Sequence, residues 1–130
     1  MFITFEGIDL SGKSTQIKLL KQYFENKKKK VISVREPGGT EISEKIRDIL
    51  LDKSNHKMED LTEFLLFSAS RQQLTNEIII PHLKKNFIVL CDRYYDSSAA
   101  YQGYGGKIDL KIINSINKIA SSGLVPHKTF

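Results

Sequence analysis

The sequence predicts an α/β fold in which a central parallel sheet is wrapped by helices. Three observations carry that expectation. Three short apolar runs rich in β-branched and aromatic residues, Phe2 to Phe5, Val31 to Val34 and Phe87 to Cys91, have the composition of buried strands. The stretches between them repeat their apolar residues at helical spacing, as the crossovers of parallel strands require. A glycine-containing segment, Gly7 to Ser14, sits between the first strand and the first helix.

The elements follow in order. The first helix begins near Lys13 and carries Ile17, Leu20 and Phe24 on one side. The run Lys27 to Lys30 lies between that amphipathic stretch and the second strand, and reads as a solvated loop. The second helix spans about Glu41 to Leu51, with Ile42, Ile46, Ile49 and Leu50 on one face. A long helical stretch covers Glu59 to Lys85, where Pro81 should break or kink it. Past Asp92, "YYDSSAAYQGYGG" predicts one short helix ending in a glycine-rich loop. The last helix covers about Asp109 to Ser121, capped by Asp109 and ended by Gly123, with Leu110, Ile113, Ile116 and Ile119/Ala120 facing the core. The tail "GLVPHKTF" reads as a helix exit, a turn and the opening of a fourth strand at Thr129 and Phe130. Three strands and a stub make a small sheet for a doubly wound fold, so residues 1–130 are expected to form one domain whose C-terminal sheet portion is missing.

Lys and Arg number 20 against 15 Asp and Glu, a formal charge of +5, and this balance favours an anionic ligand. A polynucleotide partner would rest on that charge alone and is not expected. The one cysteine, Cys91, excludes an internal disulfide and multi-cysteine zinc sites, and it fits a reducing cytosol. It ends an apolar run, as a buried strand residue does. No apolar stretch approaches the roughly 18 residues of a membrane span. The chain enters "FITFEG" at once, leaving no room for a signal peptide. A soluble cytoplasmic protein without a membrane partner is the expectation.

Gly7-Ile8-Asp9-Leu10-Ser11-Gly12-Lys13-Ser14 matches G-x-x-x-x-G-K-[ST]. With a strand before it and a helix from Thr15 onward, this is a P-loop. Its backbone N–H groups converge on phosphate oxygens and the helix N-terminus adds a favourable dipole. Lys13 would reach the β- and γ-phosphates of ATP, and the Ser14 hydroxyl would ligate Mg²⁺. A carboxylate, Asp9, inside a polyanion cradle needs another task.

Three further segments narrow the acceptor: "REPGGTE" (Arg35 to Glu41), "LLFSASRQQ" (Leu65 to Gln73) and "DRYYDSSAAYQG" (Asp92 to Gly103). With the acid in the cradle, they make the chain resemble the thymidylate kinase family from the first strand to at least Gly103. The resemblance implies a P-loop NTPase three-layer sandwich around a central parallel sheet, and a homodimer. It also implies transfer of the ATP γ-phosphoryl group to the 5′-phosphate of dTMP with Mg²⁺. Two rivals are a kinase for another (deoxy)nucleoside monophosphate and a nucleotide-binding module without turnover. A switch GTPase would need an N-K-x-D element, which is absent.

The residues themselves leave choices open. Asp92 and Arg93 follow a buried strand at the carboxyl edge of the sheet, where α/β proteins bind ligands. Asp92 suits Mg²⁺ held through water and Arg93 a bidentate clamp on the acceptor phosphate, or the two form a structural ion pair. Phe67 and Arg71, four residues apart, share a helix face. Pattern alone places Phe67 in the core beside Leu65, Leu66 and Leu74, whereas the resemblance has it stack on thymine while Arg71 bonds the ring edge. Ser98 and Gln102 are candidates for the pyrimidine edge, and Tyr101 for closing the sugar pocket against a 2′-OH. Arg47 is either a second ligand of the acceptor phosphate or a solvent-facing helix arginine. Frequency favours a trans Glu36-Pro37 bond, while the resemblance implies cis and a role in shaping the acceptor site. By resemblance, Asp9 accepts the deoxyribose 3′-OH. Leu10 places the chain with members whose transition-state arginine comes from a lid, here expected beyond Phe130. The 130 residues should therefore bind dTMP and turn over poorly. Pro126-His127-Lys128 departs from the family's usual Pro-Asp-Leu, and His127 either alters a turn near the acceptor site or is neutral.

Overall fold

The computed structural model describes residues 1–105 and 108–130. Strands Phe2–Phe5 (β1), Val31–Arg35 (β2), Ile88–Asp92 (β3) and Lys128–Thr129 (β4) form one sheet in the order β2-β3-β1-β4. All three pairings are parallel, and Phe5 and Arg35 both pair with Asp92. Three strands therefore end level, and the segments leaving them meet at one carboxyl edge.

The expected apolar runs are continuous because both faces of the sheet are covered. Phe2, Val89 and Cys91 pack with Leu74, Ile79 and Tyr94 on one face. Ile3, Phe5, Ile88 and Leu90 pack with Ile17 on the other. Ile17 belongs to Lys13–Asn26 (α1), the helix on that second face; Leu20 and Phe24 join it as expected. The first face is covered by Asp60–Leu74 (α3), its continuation Ile80–Lys84 (α4), and residues near Tyr95–Ser98 (α5).

Glu41–Leu51 (α2) has the bounds expected from its sequence. Thr40 caps it by accepting the Ser43 N–H at 3.1 Å, and Glu41 and Glu44 favour its positive N-terminal end. Its apolar face is less covered than a core face: Ile42 is 52% and Ile49 47% exposed.

Pro81 neither ends nor breaks the long helical stretch. The chain passes from α3 into α4 through one wide π turn, Thr75–Ile79, in which the Ile80 N–H donates to the Thr75 carbonyl five residues back. The wide turn sits directly upstream of the ring that would crowd a regular helix. After α5 the chain continues in a second π segment, Ala99–Tyr104, instead of going straight into a loop. Of the expected glycine-rich loop, Gly106 lies outside the described residues.

Asp109 caps Leu110–Ala120 (α6) by accepting the Lys111 N–H at 2.8 Å. The buried face of α6 differs from the apolar pattern. Ile113 and Ala120 are buried as expected, but Ile119 is 73% exposed and the polar Asn117 takes the buried position. The reason is a buried arginine opposite, described below.

His127 lies at the amino end of β1, away from the carboxyl edge. Its Nδ1 accepts the Phe2 N–H at 3.1 Å while its own N–H donates to the Phe2 carbonyl. It extends the β1–β4 pairing by a side-chain bond and does not shape a turn near the acceptor residues.

Candidate active site

Gly7 to Gly12 leave β1 and curve into α1, with Gly12 at the helix cap in a left-handed conformation (φ +89°) that favours glycine. Lys13 turns back over the loop: its Nζ donates to the carbonyls of Gly7 at 3.0 Å and Ile8 at 2.7 Å. Leu10, at the apex, is also left-handed (φ +64°) and fully exposed. Asp9, Leu10, Ser11, Gly12, Lys13, Ser14 and Thr15 line a cavity of about 410 Å³ whose far wall is Arg35, Glu36, Arg47, Asp92 and Arg93. Gly7 and Ile8 instead face a groove of about 710 Å³ along α1, walled by Phe5, Leu19, Leu20, Tyr23 and Phe130. That groove is roomier, but its walls are mostly apolar and the convergent charge lies in the smaller cavity.

Strand β3 delivers Asp92 to the loop, where its Oδ2 accepts the Ser14 Oγ–H at 3.0 Å. The pair is a small all-oxygen donor set, the type hard divalent cations take. No cluster of three or more His, Cys, Asp or Glu side chains able to hold a metal occurs among the described residues. A hydroxyl beside one carboxylate is compatible with Mg²⁺, which takes few protein oxygens and keeps several waters and phosphate oxygens in its shell.

Arg93, left-handed at φ +68°, points across the same edge. Its Nη2 donates to Asp9 Oδ1 at 2.7 Å and its Nη1 to Ser97 Oγ at 3.3 Å, and its guanidinium lies 5.6 Å from the Tyr101 ring centroid. The alternative reading, a structural Asp92–Arg93 ion pair, is not what forms; the arginine pairs with Asp9 in the loop.

A second cavity, of about 380 Å³, opens beside the first. Asp9, Glu36, Pro37, Arg47, Phe67 and Arg71 line it together with Arg93, Ser98, Tyr101 and Gln102, so every acceptor-site residue named from the sequence borders one space. Asp9, Glu36, Arg47 and Arg93 belong to both cavities. Arg47 is half-buried and donates to the Pro37 carbonyl at 2.8 Å, so it is not a solvent-facing arginine. The Glu36-Pro37 peptide is cis. Phe67 is half-buried on the cavity wall and packs in neither core cluster, whereas Phe64 on the same helix is fully buried and Leu74 belongs to the core.

Arg71 is 1% exposed and held on three sides. Its Nη2 bonds Glu36 and donates to Ser98 Oγ at 2.7 Å, and its Nη1 donates to Asn117 Oδ1 at 2.6 Å. Its Nε and Glu36 Oε2 have no partner among the described residues, which leaves one donor and one acceptor of the cluster unused there. Burial pushes the Glu36 carboxyl up, against the pull of Arg71. Ser98 is thus engaged by Arg71 and does not stand in the cavity as a free hydroxyl. Cys91 is buried behind the edge, burial pushes its thiol well up, and it is no nucleophile.

A thymidylate kinase family model matches residues 5–130. The chain belongs to the thymidylate kinase family. The thymidylate kinase of Thermosipho africanus is 53% identical over 130 residues, all of this chain and 64% of the relative. That of Prosthecochloris aestuarii is 53% identical over the whole chain and 58% of the relative. The crystal structure of thymidylate kinase from Ehrlichia chaffeensis superposes with a TM-score of 0.92 at 43% identity, covering 100% of this chain and 72% of that one. The parallel sheet and its helices are thus the P-loop sandwich of the thymidylate kinase fold. The chain spans less than two thirds of the length of these curated relatives.

Four polar residues around the site went unread in the thymidylate kinase motifs. Glu6 accepts the Tyr94 N–H at 2.8 Å and bonds Ser97 Oγ, tying β1 to the segment that carries Arg93. Glu44 accepts Arg35 Nη2 at 2.7 Å and the Gly39 N–H at 2.6 Å, fixing the turn after β2. Glu63 and Asn117 hold Gln102 and Arg71 respectively. The first three were visible only as acids near glycines or apolar runs, and Asn117 as a polar break in an apolar stripe.

Proposed function

We propose that the protein carrying this chain transfers the γ-phosphoryl group of ATP to the 5′-phosphate of dTMP, giving dTDP and ADP. The observation that supports this best is the shared wall. A phosphate cradle and a half-apolar cavity adjoin, with Asp9, Glu36, Arg47 and Arg93 common to both. Donor and acceptor phosphates bound on either side would meet at the two arginines.

In this reading the donor phosphates lie on the loop amides and on Lys13, which leaves the Gly7 and Ile8 carbonyls to reach them. Ser14 and Asp92 would hold Mg²⁺, which supplies charge neutralisation to the phosphates when bound. Phe67 stacks on the pyrimidine, Arg71 donates to its edge, and Tyr101 closes the sugar side. Asp9 exchanges Arg93 for the sugar 3′-OH, which frees Arg93 to join Arg47 on the acceptor phosphate. A phosphate oxygen of dTMP attacks the γ-phosphorus, the bond from that phosphorus to the β-phosphate oxygen breaks, and ADP leaves. The attacking oxygen is already anionic at neutral pH, so positioning and charge carry the reaction and no general base is needed.

The exposed apolar residues Ile42 and Ile49 on α2, and Leu61 and Leu65 on α3, support a homodimer packed through these helices. No helix among the described residues is long and apolar enough to cross a membrane, and a cytoplasmic location accords with that. The test is ADP release from ATP and Mg²⁺ with dTMP, dUMP, dCMP, AMP and thymidine offered in parallel, alongside calorimetric dTMP binding. Turnover or binding confined to dTMP, with weaker dUMP, is the expected result. Equal response to dCMP or AMP, or no response to any acceptor, would overturn it. A slow rate in the 130-residue form is expected if the remaining charge comes from a lid.

A further inference from the structure

Helix α3 presents Glu63, Phe67 and Arg71 to the second cavity at intervals of four residues, and so on one face. Of the three, Glu63 has no place in the reading above. Its Oε1 accepts from Gln102 Nε2 at 2.8 Å, and Gln102 is itself 9% exposed at the cavity wall. Gln102 Oε1 receives no hydrogen bond from the described residues and is not among the buried unpaired atoms, so it remains accessible.

An amide is ambivalent. Its carbonyl and NH₂ ends have nearly the same shape, and a half-turn about the last torsion swaps acceptor for donor. A carboxylate only accepts, so Glu63 fixes which end of Gln102 is turned toward it and leaves the carbonyl for the cavity. Arg71, on the same wall, only donates. The wall then offers one fixed donor and one fixed acceptor. A pyrimidine with a 4-oxo group beside a protonated N3 complements that pair. A pyrimidine with a 4-amino group beside a bare N3 meets donor with donor and acceptor with acceptor.

We propose that Glu63 is a positioning residue for base selection: by holding the Gln102 amide in one orientation it makes the site accept 4-oxo pyrimidine nucleotides and reject 4-amino ones. This rests on the reading of the cavity as a pyrimidine-nucleotide site. Glu63 need not touch the nucleotide, and its effect is on discrimination more than on overall affinity.

The test compares the wild-type chain with Glu63→Gln, whose side chain either donates to or accepts from Gln102 and so releases its orientation. Binding of dTMP, dCMP and N3-methyl-dTMP is measured by calorimetry, with circular dichroism and melting to verify the fold. The expected result is a fall of about tenfold in the dTMP-to-dCMP affinity ratio, the size of one well-made hydrogen bond switched for a mismatch. The penalty for N3-methylation should shrink in the variant as well. Gln102→Met, which keeps Glu63 and fills the same space without an amide, should lose the same discrimination even if Glu63→Gln fails to fold. Wild-type ratios in the folded variants, or an unchanged N3-methyl penalty, would overturn the proposal while leaving the pyrimidine site intact. Absence of dTMP binding by the wild type would instead remove the functional reading, and this inference with it.

Discussion

The Arg71 guanidinium on α3 donates from Nη1 to the Asn117 side-chain oxygen on α6 at 2.6 Å, and neither residue reaches solvent to any extent. Asn117 also donates to the Tyr95 carbonyl at 3.3 Å, so one amide links three helical segments around a buried cation. Replacing Asn117 with Leu keeps the volume but strands an Nη1 proton. The expected cost is about 1–3 kcal/mol of stability, with weaker dTMP binding. Urea denaturation of N117L checks this, and a loss under about half a kcal/mol would mean that the arginine finds another partner.

Phe67 separates a ligand-stacking role from a core role. A core phenylalanine cut to alanine costs about 3–5 kcal/mol of stability. A ring that stacks on a base is worth about 1–3 kcal/mol to binding, roughly a five- to hundredfold change in affinity. Because Phe67 is half-buried on the cavity wall while Phe64 is fully buried, F67A should weaken dTMP binding by that factor and cost less stability than F64A. The reverse pattern in paired binding and denaturation measurements would return Phe67 to the core.

Lys13 holds exposed loop groups alone, the Gly7 and Ile8 carbonyls and the Ser11 hydroxyl, so its removal should leave the fold nearly untouched. In K13M, dTMP-dependent ADP formation should fall at least a hundredfold while the melting temperature moves little. A modest rate loss would place the phosphate charge elsewhere.

Glu6 makes stability depend on pH in a direction opposite to acid denaturation. Burial raises its carboxyl above the ordinary value of 4.5, with the Ser97 and Tyr94 hydrogen bonds opposing the rise only in part. A raised acid binds more protons folded than unfolded, so its contribution is complete below 4.5 and is lost as pH climbs through the raised value. Glu6→Gln should therefore gain stability relative to wild type as pH climbs above 4.5. Asp96 and Glu36, whose charges add to the rise, are present in both proteins. Urea midpoints at several pH values test it; a difference that stays constant with pH would show that Glu6 is not the cause.

Strands and long helices were legible because both faces of the sheet and the inner faces of the helices leave periodic traces. The bounds of α2 could be read to the residue because Thr40 is a local cap. The chemical motifs were legible for a related reason: glycines and charges at fixed offsets stand on turns whose geometry they dictate. Ile119 is exposed where the pattern turns it or Ala120 to the core, and the unread Asn117 is buried instead. Hydrophobicity orients a helix only when its buried partner is apolar, and the partner here is an arginine 46 residues away. Glu63 was passed over for the same cause, since its partner Gln102 lies 39 residues downstream. Pro81 is a different case: a break or a kink was the local expectation, and a single wide turn meets the steric demand within a continuous helix.

That turn has a consequence for how the molecule can change. One extra residue in a turn rotates everything beyond it by about 100° relative to everything before. Upstream, Glu63, Phe67 and Arg71 face the cavity; within and beyond the turn, Ile79 and Leu83 are pressed against the sheet. The two stripes need not lie on one line, so the residues that line the cavity and those that pack on the sheet beyond the turn answer to separate constraints. Substitution on the cavity stripe can reshape that cavity without disturbing the register of the helix beyond the turn.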